Sequence, residues 1–110
     1  MASIQFTTRV LGNEATQRLR DFKVRQTIRS NKHTIPLKNE RNVSITLDNV
    51  LLYNAKIESI SRTTTRELTQ LDAEAGGFSA LEDLHLALIR AGFRFKANYD
   101  VYKIKFIPIQ

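Results

Sequence analysis

Four side chains at alternate positions, Lys23, Arg25, Thr27 and Arg29, form the constellation in this chain best suited to chemistry. If residues 23–29 form a strand, these side chains leave one face about 7 Å apart. Three cations and a hydroxyl so spaced can follow a phosphodiester backbone or line an anionic pocket. Arginine suits either task, because its planar fork donates two hydrogen bonds to one phosphate. The Thr27 hydroxyl, between two arginines, can donate to a phosphate or a base edge. The plain alternative is an outward face that only needs to be polar. Like charges along one strand face repel and add nothing to stability, which favours a binding role. Lys32, Lys38 and Arg41 follow downstream as outer phosphate contacts.

Other chemistries find little support. The chain has no cysteine, which excludes a disulfide framework, a thiol nucleophile and any cysteine-ligated metal centre. His33 and His85 are far apart and lack metal-ligand spacing, so each reads as a surface residue and no metal site is expected. Gly76-Gly77 lacks the spacing and the lysine of a phosphate-cradling loop, and no cofactor is expected. Ser79 precedes His85, but a helix-capping role explains the serine and a Ser–His hydrolase is not expected. Phe93, Phe95 and Tyr99 are the aromatic candidates for base stacking, although core roles would account for most of them.

The charge distribution supports binding. Seventeen basic residues against eleven acidic ones give a net charge of +6. Between positions 9 and 41 stand nine basic and three acidic residues, and the remainder carries eight of each, so the whole surplus lies in one third of the chain. A localised basic field attracts polyanions and speeds their association. A length of 110 residues, 42% hydrophobic and 25% charged, fits one folded globular domain over positions 1–110. No apolar run approaches the roughly 20 residues of a membrane span, and the first ten residues do not resemble a signal peptide. The expected location is the cytoplasm, with no membrane partner.

The elements that must position these residues follow from periodicity. A short strand is expected at 3–8. Asn13 is placed to cap a helix carrying Ala15, Leu19 and Phe22 on one face. In the strand at 23–29, Val24, Gln26 and Ile28 are expected inside and the cations outside. Residues 30–42, polar and holding Pro36, read as the longest loop. Val43, Ile45 and Leu47 alternate with polar residues, and Asp48-Asn49 makes the tight turn of a hairpin whose return strand runs over 50–60. The apolar phase of that strand shifts between Ile57 and Ile60, as a bulge requires. Thr64 with Glu67, and Ser79 with Glu82, have capping-box spacing for two helices. The first would carry Leu68, Leu71 and Ala75. The second would bury Leu81, Leu84, Leu88 and Ala91 and stop at Gly92. A closing strand should turn Tyr102, Ile104 and Phe106 inward and Lys103 and Lys105 to solvent. Five or more strands with about three short helices indicate an α+β fold, a small β-barrel with helices over its openings.

The run Arg25-Gln26-Thr27-Ile28-Arg29 also resembles the Thr-x-Arg core of the Lys-x-x-Thr-x-Arg motif of ASCH domains. Residues 72–84, an acidic stretch through Gly-Phe into a helix, resemble that family's second signature, and the closing strand fits as well. The resemblance covers nearly the whole chain and implies a PUA-like β-barrel with a cleft between the Thr-x-Arg strand and the Gly-Phe segment. It also implies RNA binding, or, in some small members, amidohydrolase activity on acetylated cytidine. The motif's lysine falls on Val24 and its glutamate on Gly76, so of the catalytic set only Thr27 stands in place. Lys23 and Glu74 are the nearest substitutes. A non-catalytic RNA-binding member is therefore expected first, a protein–protein interaction domain second and a nucleoside amidohydrolase third. The oligomeric state is left open.

Overall fold

In the computed structural model, which describes residues 2–94 and 98–109, five strands form one sheet in the order β1-β3-β4-β5-β2. The strands are β1 (Ser3–Phe6), β2 (Gln26–Arg29), β3 (Asn42–Leu47), β4 (Val50–Thr64) and β5 (Asp100–Ile109). β1 runs parallel to β3 and every other neighbour pair is antiparallel. The β3–β4 hairpin turns through Asp48 and Asn49 at φ 49° and 66°, which short polar side chains tolerate best. The expected bulge is present, as a register shift between Ile57 and Ser59 where β4 pairs with β5.

A second shift, between Ile45 and Thr46, acts on the β3–β4 ladder. Bulges bend and twist the strand that carries them, and this sheet curls. Phe6, on the β1 edge, meets Phe106 of β5 with ring centroids 6.4 Å apart. The Arg29 guanidinium, on the β2 edge, lies 4.9 Å from the same Phe6 ring centre. The two edges thus approach each other without pairing, which makes a curled half-barrel. The concave side is filled by Val43, Ile45, Ile104 and Phe106, all essentially inaccessible to solvent.

Among the described residues four α-helices close the openings: α1 (Thr8–Arg20), α2 (Asn31–Thr34), α3 (Gln70–Ala75) and α4 (Leu81–Arg90). α1 begins earlier than expected. Thr7, not Asn13, is its cap, and the run breaks at Gly12, whose φ of 79° requires glycine. It buries Leu11, Ala15 and Leu19; Phe22 lies beyond its end and stacks on Tyr53. The expected loop at 30–42 contains α2 and a 3₁₀ turn, Ile35–Leu37, anchored by buried Thr34 and Leu37.

Both expected capping boxes are displaced. The Thr64 hydroxyl donates to the Glu67 carboxylate (2.8 Å) beside a 3₁₀ turn, Thr65–Glu67, while the reciprocal box belongs to Thr69 and Asp72 at the start of α3. At α4 the cap position is Ala80, and the Leu81 N–H donates to Gln70 Oε1 (2.9 Å). Ser79 instead bonds Glu14 and Arg18. α4 starts one residue later than the Ser79–Glu82 spacing requires, so Ser79 falls outside the cap position and a carboxylamide from α3 takes the free N–H. α4 buries Leu84, Ala87 and Leu88, with Ala91 exposed. Among the described residues no helix is long and apolar enough to cross a membrane.

Candidate functional site

β2 is short, covered on both faces, and sits at the open edge of the half-barrel. Its register decides what each side chain meets. Thr27 lies opposite the buried Ile104, and Ile28 opposite Lys103. Residues paired across antiparallel strands share a face, so Thr27 and Arg29 belong to the concave side with Ile104 and Phe106. Gln26 and Ile28 belong to the convex side. This reverses the expected orientation of the motif strand. Alternation identified the two faces correctly, but both are buried, and the more polar face turned out to be the inner one.

Lys23 and Arg25 do not extend the row. β2 begins at Gln26, and the Arg25 guanidinium folds back onto the carbonyls of Phe22 and Val24. The Arg25 N–H donates to the end of α3 at the Ala75 carbonyl (2.8 Å), while the Arg25 carbonyl accepts from the Phe106 N–H of β5 (3.0 Å), so the chain joins the sheet at this residue. Val24 is fully buried, and a Cβ added at Gly77, whose φ is 93°, would stand 2.9 Å from its side chain. The Gly-Phe segment can approach the motif strand this closely only because residue 77 has no side chain.

Between the β1 and β2 edges opens a cleft of about 580 Å³. Phe6, Thr27 and Arg29 form its walls, Phe78, Leu88 and Phe93 its apolar end, and Arg9, Lys32 and His33 its rim. Arg29 Nε donates to Thr27 Oγ1 at 3.0 Å, which leaves the threonine proton free for another acceptor. Among the described residues no carboxylate pairs with Arg29. Burial pushes its guanidinium down to about 10. Among the described residues this desolvated cation has no counter-ion, and it faces the cavity.

At the lip of the cleft a second polar group is fully satisfied. Asp72 accepts from Gln26 Nε2 (3.0 Å) and from the Thr69 N–H (2.9 Å), and pairs with Lys103 Nζ at 3.1 Å. Burial alone would raise the Asp72 carboxyl. The bonds from Gln26 and Thr69, and then the Lys103 ammonium, outweigh it and hold the group below its ordinary value. Lys103, expected in solvent, is thus part of the scaffold that holds α3 against β2 and β5.

Of the seven expected contacts, the structure brings Thr27, Arg29 and Lys32 together in the cleft. Lys23 and Arg41 are exposed and do not line it, Arg25 is turned back, and Lys38 lies over the Tyr102 ring at 5.7 Å. Sequence reasoning missed Arg9 and Phe6. Arg9 lay within the basic third and Phe6 within an expected strand, but no local signal joined either to Thr27. Gly76 lines the cleft and Val24 is sealed behind it, while Lys23 and Glu74, the possible substitutes, are exposed and outside the lining. Of the expected stacking residues, Phe93 lines the cleft, Tyr99 is exposed and Phe95 lies outside the described residues.

No protein-family model and no curated protein matches the chain significantly. Solved structures do. A protein of Enterococcus faecalis from a domain family of unknown function superposes with a TM-score of 0.62 at 12% identity, over 92% of this chain and 70% of its own. An ASCH domain from Lactobacillus crispatus superposes with a TM-score of 0.61 at 12% identity, over 97% of this chain and 80% of its own. The chain has an ASCH-like fold.

Proposed function

We propose that this protein is an RNA-binding module, with the cleft between β1 and β2 as its binding site and no catalytic role. The observation that carries the reading is Arg29, a guanidinium held beside the Thr27 hydroxyl in a cleft wall with no counter-ion among the described residues. A phosphate supplied by a ligand would replace the hydration that Arg29 has lost, and the arginine fork fits a phosphate better than any other side chain. Arg9 and Lys32 add charge at the rim, and the basic third of the chain, with Lys23, Arg25, Lys38 and Arg41, supplies a longer-range field. RNA binding is also what an ASCH-like fold leads one to expect, in a cytoplasmic setting.

Binding to a panel of structured and unstructured RNAs across a salt series tests the reading. Affinity should fall steeply with salt, because each phosphate contact releases a counter-ion. Arg29→Met should weaken binding about tenfold or more, the value of a charge-assisted hydrogen bond. Salt-insensitive capture of a protein partner, with no RNA bound, would favour an interaction domain. With Val24 and Gly76 where lysine and glutamate would act, the catalytic set around Thr27 is incomplete. The expected result with acetylcytidine is no deacetylation, and multiple turnovers would overturn it.

A further inference from the structure

The wall that carries Arg29 continues past the cleft. Arg29 on β2 lies opposite Tyr102 on β5, and Tyr102 lies opposite Arg62 on β4. Paired residues share a face, and neighbouring strands are about 4.8 Å apart. The three side chains therefore make one row, roughly 10 Å long, across three strands. A third cation comes from the chain after the 3₁₀ turn at Ile35–Leu37, where Lys38 Nζ lies over the Tyr102 ring. Exposure rises along the row. Arg29 and Tyr102 are half-buried, whereas the Arg62 side chain is 69% exposed. The nearest acid, Asp100, meets Arg62 at 3.9 Å with both side chains largely in solvent, a pair too weak to neutralise it.

Three cations around one tyrosine repel each other and do little for the fold. They do suit a single-stranded nucleic acid, whose base stacks on the ring while the flanking phosphates meet the cations. Lys38 is exposed, so it can leave the ring face for a phosphate when a base takes its place.

We infer that Tyr102, flanked by Arg62 and Lys38, is a second nucleotide position that stacks one base of a single-stranded RNA as the strand leaves the cleft past Arg29. This rests on the RNA reading of the cleft and adds the path of the strand and its unpaired state. A duplex cannot use the position, because its bases already stack on one another.

The test is fluorescence anisotropy of the full chain with an unstructured RNA strand of about ten nucleotides, alongside its duplex. Tyr102→Leu should weaken the single strand about tenfold, and Tyr102→Phe, which keeps the ring, should restore binding. Arg62→Ala should flatten the salt dependence by up to about one unit. An aminopurine base placed near the strand end should be quenched by the wild type and not by Tyr102→Leu. If the wild type binds no RNA, the cleft reading falls and this position with it. If the wild type binds and Tyr102→Leu binds equally well, this position is wrong while the cleft reading stands. Duplex binding as tight as single-strand binding, and equally sensitive to Tyr102→Leu, overturns it too. Should Tyr102→Leu fail to fold, Arg62→Glu at its exposed site decides, and unchanged affinity for the strand again overturns the inference.

Discussion

A guanidinium that gives up water needs something to replace its hydration, and among the described residues Arg29 meets a threonine oxygen and the face of a phenyl ring. Neither compensates for desolvation as a carboxylate would. The depressed pKa expresses this imbalance, and its sign sets the pH window. Because the folded value lies below the unfolded one, the charged form is penalised at every pH below about 10, and the penalty fades only as pH rises from there toward the ordinary arginine value. At neutral pH it is present in full. Arg29→Met should therefore leave stability unchanged within about 1 kcal/mol, or raise it, since the lost hydrogen bond and ring contact are worth little more than that. RNA affinity should fall in the same variant. Chemical denaturation beside a binding titration checks both, and a clear loss of stability would show that Arg29 serves the fold rather than a ligand.

α3 holds the cleft lip in place, and its side-chain ties to β2 and β5 meet at one carboxylate. Asp72 caps its own helix through Thr69 and draws in Gln26 and Lys103. Asp72→Asn removes the charge and leaves the Lys103 ammonium, 25% exposed, without its partner. The expected cost is about 2 kcal/mol at neutral pH, below the full value of a buried pair because water still reaches the lysine. The folded pKa of Asp72 is depressed, so its contribution is complete above the unfolded carboxylate value and is lost as pH falls through the folded one. The gap between wild type and Asp72→Asn in urea melts should narrow below about pH 4. A gap that stays constant down to pH 2 would mean that the charge of Asp72 does not matter.

Across the whole molecule, the surplus charge sits in one third of the chain, but only part of that third reaches the cleft. Contact and field should therefore separate kinetically. Lys23→Ala with Arg25→Ala removes two exposed cations outside the cleft lining and should slow association about threefold at low salt, with dissociation little changed. Arg29→Met should act mainly on dissociation and reduce the salt slope by about 0.7, one single-strand phosphate. Lys56 and Lys105, exposed and outside the basic third, are the appropriate charge controls. Lys103 is not, because it is the counter-ion of Asp72. Equal slopes for all these variants, measured by stopped flow, would mean that charge acts diffusely and that no cleft contact exists.

The sequence by itself determined what depends on neighbours along the chain. Val43, Ile45 and Leu47 alternate because a strand with one buried face must. Asp48 and Asn49 turn because they accept positive φ, and the phase slip near Ile57 and Ile60 pointed to a bulge or bend, found as a register shift between Ile57 and Ser59. The order of the Thr-x-Arg strand and the Gly-Phe segment likewise announced the fold before any contact was known. Tertiary structure decided the rest. Alternation at 24–29 separates two sets of side chains but does not say which is inside when the sheet curls and both are covered. Only the pairing of Thr27 with Ile104 settles that. The ties among Gln26, Asp72 and Lys103 join residues far apart in the chain, and nothing local marks one of several carboxylates as the partner of a given lysine. The helix caps moved for the same reason. A free N–H takes whichever acceptor folding brings nearest, and Gln70 reached Leu81 from another helix. Periodicity and turn chemistry are properties of a segment, whereas the direction a charged side chain faces depends on the whole packed molecule.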